Sequence, residues 1–364
     1  MKTTLLLRSV LTAALLAGLV LPAAAAPKKI LVITQSKGFV HNPVKRPTPD
    51  GLCLVEQALG EIGKESGVFE TVNSQDAIAA LTAENLKQFD AIFFYTTGSL
   101  LPAGEPREAL LNFVKSGKGF IGTHSATDTF ADFKGYVEFI NGNFNGHPWG
   151  AGGTYGFVNH EPGHPVAKMY PAEFPWKDEI YQYKGYDPKS VRVLISLDMS
   201  KSNPKRPYLV PVCWVREYGT GRLFYTNFGH NDATWKDSNY RAHLLAGIRW
   251  ATKLDNGPAT PNPDVQQAEH NKSVVAFAAS VAGKDAAPFL AKAKSNAAWL
   301  ADVVAAADAA GKAQEALGNV RDPDAKKTKP EELDALKAAA KTKRQELQAK
   351  FDAEKAKLIA ALEK

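Results

Sequence analysis

The sequence predicts an α/β fold with a mainly parallel sheet, followed by an all-α C-terminal region. Three observations predict it. Short apolar runs alternate with amphipathic stretches as far as about Lys253. Composition shifts at Leu254, where aromatic residues thin out and alanine, lysine and glutamate take over. Histidine also recurs beside glycine at the ends of apolar runs, as in Gly122-Thr123-His124 and Gly229-His230. Histidine moves protons near neutral pH and binds borderline metals. This pattern therefore points to one polar pocket at the ends of several strands.

The elements follow in order. Lys29–Thr34 is a continuous apolar run, as a buried parallel strand requires. Pro49–Ser66 reads as a helix with Leu52, Val55, Leu59 and Ile62 on one face. Phe69–Asn73 is a second strand, and Thr82 caps a short helix. Asp90–Thr96 is a third strand, Glu105–Ser116 a helix closed by Gly117, and Gly119–Thr123 a fourth strand. The β-α-β order places helices on both faces. The pattern then loosens through a glycine-rich loop at Trp149–Tyr155. Strands are expected at Tyr155–Asn159, Val191–Leu197, Val210–Glu217 and Leu223–Asn227. The last two flank Tyr218-Gly-Thr-Gly-Arg222, a hairpin signal. Arg241–Lys253 closes the domain as a helix. Beyond it, helices are expected at Pro263–Ala282, Pro288–Leu317 and Pro330–Glu363. The last carries a narrow stripe of Leu333, Leu336, Leu347, Phe351, Leu358 and Leu362. The favoured reading is a hairpin or bundle packed on itself or on the main domain. A coiled coil for a protein partner or self-association is the other.

The domain reading is thus a signal peptide at 1–26, an α/β domain at 27–255, a linker at 256–263 and a helical region at 264–364. Lys2 and Arg8 precede an apolar stretch and the run Ala23–Ala26. That order reads as a secretory signal cleaved after Ala26, giving an exported, periplasmic or extracellular protein without stable membrane insertion. The formal net charge of +6 is spread along the chain. No segment has the basic excess of a nucleic-acid binder. Export permits a disulfide, but Cys53 and Cys213 lie in a helix-like and a strand-like segment and read as free and buried.

Several spaced motifs resemble one family. They are Gly38-Phe-Val-His41, Gly117-Lys-Gly-Phe-Ile-Gly-Thr-His-Ser-Ala-Thr-Asp128 and Gly142-Asn-Phe-Asn-Gly-His-Pro148, then His164-Pro165, Asp178-Glu-Ile-Tyr181, Trp214 with Gly219-Thr-Gly-Arg222, and Phe228-Gly-His230. In this order, from about Lys29 to Lys253, the set resembles the trehalose-utilisation, or ThuA-like, family. The resemblance implies a class I glutamine amidotransferase-like fold, a flavodoxin-like three-layer sandwich, and a role in carbohydrate catabolism. An amidotransferase carries its nucleophilic cysteine on a tight turn after a central strand. Here that turn, Gly122-Thr-His124-Ser-Ala, carries histidine, so glutaminase chemistry by that route is not available.

His124 follows the fourth strand, at the carboxyl edge where open α/β sheets bind ligands. A ring satisfied by backbone groups in the turn is the plainer alternative. Asp128 can orient an imidazole or bind a sugar hydroxyl, or simply cap a helix. His230 ends the last strand. These three are the candidate catalytic residues. His41, Tyr95, Thr97, Ser125, His147, Glu179 and Tyr181 are the candidate substrate-binding residues, each weighed against an ordinary strand-end, loop or salt-bridge role. His164, with His160 and Glu161, reads as a structural turn, with a ligand role as the alternative, and His243 and His270 read as structural or solvated. No His-Glu-x-x-His spacing occurs. A divalent metal held by His41, His124 and His230 with a carboxylate is still chemically reasonable.

The expected function is an enzyme acting on a sugar or keto-sugar derivative by histidine and carboxylate acid–base chemistry, as a hydrolase, lyase or isomerase. The alternatives are a non-catalytic carbohydrate-binding module, with Trp149 and tyrosines as stacking faces, or a scaffold with a helical interaction tail.

Overall fold

In the computed structural model, residues 26–202 and 204–364 are described. The expected signal segment lies outside them except for Ala26. The chain runs β1 (Lys28–Ile33), α1 (Leu54–Ser66), β2 (Phe69–Ser74), α2 (Ala77–Ala80), α3 (Ala83–Leu86), β3 (Ala91–Phe94), α4 (Glu105–Lys115) and β4 (Gly119–Thr123). It continues through α5 (Lys134–Ile140), β5 (Asn143–Phe144), β6 (Thr154–Asn159), β7 (Glu173–Lys177), β8 (Tyr183–Lys184), β9 (Arg192–Leu197), β10 (Pro211–Tyr218), β11 (Gly221–Thr226) and α6 (Ser238–Ala251). The tail is α7 (Pro263–Ala282), α8 (Ala287–Ala293), α9 (Ala297–Gly318) and α10 (Pro330–Glu363).

Nine strands form one sheet in the order β2-β1-β3-β4-β11-β10-β9-β6-β7. The pairs from β2 to β11 are all parallel. From β11 to β7 the pairing is antiparallel. Followed through, these pairings leave only β10 and β6 running against the rest. The parallel strands β1, β3 and β4 are apolar on both faces because helices cover both. Ile30, Val32, Phe93 and Ile121 pack with Val55, Leu59, Leu244 and Ile248 of α1 and α6. Leu31, Ile33, Phe94 and Phe120 pack with Leu110, Leu111, Tyr136 and Phe139 of α4 and α5. The result is the three-layer α/β sandwich.

Some boundaries differ from the sequence reading, for local reasons. The first helix begins at Leu54, not Pro49, and the Glu56 carboxylate reaches back to the Cys53 amide at 3.0 Å. The expected helix Pro288–Leu317 is two helices. Asn296 interrupts it, capping α9 by accepting from Trp299 N at 3.0 Å. Helix α6 starts earlier, at Ser238, because Asp237 accepts from the amides of Asn239 and Tyr240. The expected cap does hold α3, where Thr82 Oγ1 accepts from Asn85 N at 3.2 Å. The short elements α5, β5, β7 and β8 carry no repeating pattern and were not expected. Trp149 is buried and donates its Nε1–H to Ser202 O at 2.7 Å, so its faces are not open for stacking. Cys53 and Cys213 are buried and free.

The tail has its own apolar cluster, built from Val274, Phe277, Trp299, Val303, Leu358 and Leu362 among others. Among the described residues, Tyr208 is the one from the α/β unit that joins it. At the junction, the Asn262 amide imitates a peptide group. Its Oδ1 accepts from Val193 N and its Nδ2 donates to Val193 O, both at 2.9 Å.

Candidate active site

Four residues meet at the carboxyl end of the parallel strands. His41 follows β1, His124 follows β4, Glu179 lies between β7 and β8, and His230 follows β11. One ligating atom from each lies within 4.8 Å of the other three. The backbone of each segment is set by local chemistry. His124 takes a left-handed φ of 44°, uncommon for a non-glycine residue, at the point where the chain leaves β4. Gly229 has φ 123°, and a Cβ there would come within 2.8 Å of Tyr240 Oη and 3.0 Å of Thr123 Oγ1. Only glycine lets His230 leave the strand at that point.

The hydrogen bonds fix the rings. His124 Nδ1 lies 2.8 Å from Asn227 O, so this nitrogen carries the proton and donates it to the carbonyl. Nε2 is then left with its lone pair facing His230 Nδ1 at 3.1 Å. Glu179 Oε2 sits 3.0 Å from His230 Nδ1 and 3.6 Å from His124 Nε2. Its other oxygen is 3.2 Å from His147 Nδ1. His41 Nε2 is 3.1 Å from Tyr181 Oη, while His41 Nδ1 has no hydrogen-bond partner although the residue is buried.

Charge follows from this packing. Burial alone would raise the Glu179 pKa, but the His230 and His124 rings beside it hold it well below the usual carboxylate range. Burial opposes charging of His230, yet the Glu179 hydrogen bond and charge raise its pKa overall. Burial, with His124 and His230 nearby, keeps His41 neutral. The site thus joins a carboxylate to one readily charged imidazole and one that resists charging.

The remaining sequence candidates fall around this cluster. Tyr181 packs its ring 4.3 Å from that of His124. His147 is half-exposed at the mouth, its ring stacked near Phe144. Tyr95 is buried beneath the cluster and donates to Gly229 O at 3.1 Å. Thr97 accepts from Gly38 N and donates to Phe39 O, which holds the loop carrying His41. Ser125 is buried with an unpartnered Oγ. Asp128 is not one of the four convergent residues; burial raises its pKa. His164 and His243 are not among the four convergent residues and bond the backbone carbonyls of Pro258 and Val166.

Two residues of the site were missed. Asp178 accepts from Gly229 N (2.8 Å), Asn231 N (3.0 Å) and Thr234 Oγ1 (3.0 Å), so it clamps the turn that carries His230. Asn227 holds His124 through its carbonyl and accepts from Tyr181 N through Oδ1. The Asp-Glu pair at 178–179 was the signal for the first, and the Asn before Phe-Gly-His gave none.

Residues 29–251 match the family ThuA, described as trehalose utilisation. Among solved structures, a protein of Bacteroides uniformis described as ThuA-like is 23% identical, with a TM-score of 0.54, covering 67% of this chain and 99% of its own. A second protein described as ThuA-like, from Parabacteroides merdae, is 18% identical, with a TM-score of 0.50, covering 66% of this chain and 99% of its own. At these identities the likeness speaks for the fold. No curated protein matches the chain.

Proposed function

The chain belongs to the ThuA, or trehalose-utilisation, family, and from that premise we propose that it is an exported enzyme of carbohydrate catabolism acting on a sugar or keto-sugar derivative. The observation that carries this reading is Glu179, whose two oxygens face His230 and His124 on one side and His147 on the other. Such a group suits enolisation beside a carbonyl. A base takes the proton from the carbon next to the carbonyl, the C–H electron pair becomes the new C=C bond, and an acid protonates the former carbonyl oxygen. Isomerisation, or loss of a glycoside from the next carbon, follows from the same intermediate. His147, half-exposed at the mouth, is placed to meet the substrate.

The surroundings suit a sugar. Phe39 is 67% exposed and lies edge-on to His41, and Phe144 packs on Tyr181. Apolar C–H faces of a pyranose can rest on such rings. The loop carrying His147 also borders a polar cleft of about 840 Å³ lined by Asn145, Pro148, Gln182, Arg206 and Gln314. A second sugar unit has room there. Export rests on the character of residues 1–26, and N-terminal sequencing of mature protein should begin at Pro27.

The test uses a keto derivative of trehalose in deuterated water. Deuterium entering the carbon beside the carbonyl, and lost in His124→Ala, supports the enzyme. Saturable binding without exchange supports a carbohydrate-binding module instead, a reading that the exposed Phe39 favours. Neither binding nor exchange removes the sugar assignment.

A further inference from the structure

We propose that His41, His124, Glu179 and His230 form a binding site for one divalent transition-metal ion of the zinc class. This deepens the functional reading above, because it rests on the same cluster being the active centre. The donors are right in kind. Three imidazoles and a carboxylate suit Zn²⁺, Fe²⁺, Mn²⁺ or Ni²⁺, whereas Ca²⁺ and Mg²⁺ prefer oxygen alone.

The spacing is right as well. Bonds of about 2.0–2.1 Å at a tetrahedral angle put neighbouring donors about 3.3 Å apart. The observed separations are 3.0 Å from Glu179 to His230, 3.1 Å from His124 to His230 and 3.6 Å from Glu179 to His124. All four donors fall within 4.8 Å of one another. A distance of 3.1 Å between two ring nitrogens is also hydrogen-bonding distance, but only one of the two can then be a donor. The same His230 nitrogen faces Glu179 too, so one N–H would have to serve two acceptors. An ion resolves this by accepting a lone pair from each ring.

Support around the donors has the form that metal sites use. A ligating histidine ordinarily gives its other ring N–H to a backbone carbonyl or carboxylate. His124 does so, donating from Nδ1 to Asn227 O at 2.8 Å. His41 is 3% exposed and its Nδ1 has no partner, an independent sign of unfilled coordinating capacity. Asp178 anchors the Gly229–Thr234 turn through three hydrogen bonds and so positions His230 beside its own neighbour Glu179. His147 holds the outer oxygen of Glu179 at 3.2 Å, as an outer-shell partner would.

The consequence for chemistry is a change of roles. His41, His124 and His230 would then serve as ligands, a bound ion would supply Lewis-acid polarisation of a carbonyl or a water, and proton transfer would fall to the exposed His147.

The full mature chain, purified without metal-affinity resin, is stripped with chelator, dialysed against Zn²⁺, Mn²⁺, Fe²⁺ or Ni²⁺ in turn, and analysed for metal. The expected result is one ion per chain for at least one of these metals, with titration of Zn²⁺ into the stripped chain giving the same stoichiometry. Glu179→Gln keeps shape and should weaken binding strongly, and His230→Ala should abolish it. Asp178→Asn, which acts through His230, should weaken affinity by about 10–100-fold. His164→Gln should leave stoichiometry unchanged. Co²⁺ loading supplies a readout free of turnover, since its visible spectrum reports nitrogen and oxygen coordination. If a variant fails to fold, the wild-type stoichiometry and Co²⁺ spectrum still decide. Stoichiometry well below one for every metal, or binding indifferent to both Glu179→Gln and His230→Ala, overturns the proposal. Exchange assays on the same samples keep the two readings apart. A loaded chain that gives no deuterium exchange sinks the enzyme and leaves the metal site standing. Exchange in a chain that never binds metal does the reverse.

Discussion

His124 holds a left-handed backbone at the end of a strand, where its ring is fixed from both sides by Asn227 and His230. Such a conformation costs of the order of 1–3 kcal/mol and persists only where surrounding contacts enforce it. His124→Ala should therefore cut turnover by about 10²–10⁴ while circular dichroism stays unchanged. His270→Ala, on α7, should leave turnover as it was. Normal turnover in His124→Ala, or loss only through unfolding, would show that the ring is a structural element. At this scale the sequence was informative where glycine and a strand end coincide, as at His41, His124 and His230. It was less so for Glu179, because Asp-Glu-Ile-Tyr reads equally well as a surface run. The anchoring by Asp178 was hidden because its partners lie 51, 53 and 56 residues away. Tyr95 and Thr97 reach the expected edge, yet their hydroxyls are spent on backbone groups, and alternation alone does not tell which way a hydroxyl turns.

Helix α7 and its N-cap residue Asn262 join the sheet to the tail, and two contacts there make measurable claims. Asn262→Ala leaves Val193 N–H and C=O without their partners in a buried place. The cost should be about 1–3 kcal/mol, read as a lower midpoint in urea unfolding with an unchanged slope. An unchanged midpoint would mean water replaces the amide. Further along, burial raises the pKa of Glu269 to about 7, against the pull of Lys272 and with added repulsion from Asp198. The folded chain then holds this proton more tightly than the unfolded chain. Stability is fully present below the unfolded value of 4.5 and declines as pH rises through about 7. The loss is up to about 3 kcal/mol. Glu269→Gln should melt higher than wild type at pH 8 and alike at pH 4. His160 lines the same contact and works in the opposite sense. Burial lowers its pKa to about 4, so its contribution is lost as pH falls from 6.5 toward 4. Regular helices and strands with a clear period were legible in the sequence. The break at Asn296 was not, because a cap within alanine-rich sequence does not disturb the apolar count.

At the scale of the molecule, among the described residues, the two apolar clusters of the sheet contain no residue of α7 to α10, and the tail cluster borrows only Tyr208. We therefore expect a chain ending at Pro261 to fold on its own, with a cooperative melt at lower temperature than the full chain. A non-cooperative melt would make the tail part of the core. The sandwich and the helical tail were legible because periodicity and composition are local. The antiparallel half was less so, since β7, which pairs with β6 at its edge, is drawn from irregular sequence. That half nevertheless brings Glu179 to the cluster, while the parallel half and its return strand bring His41, His124 and His230. The four positions stand far apart along the chain, so loops must close over nearly the whole domain before they can meet. Any ligand gripped by all four thus recognises only chains that have finished folding. The number of such ligands bound in a preparation is then a census of completed molecules, and chains trapped partway should go uncounted.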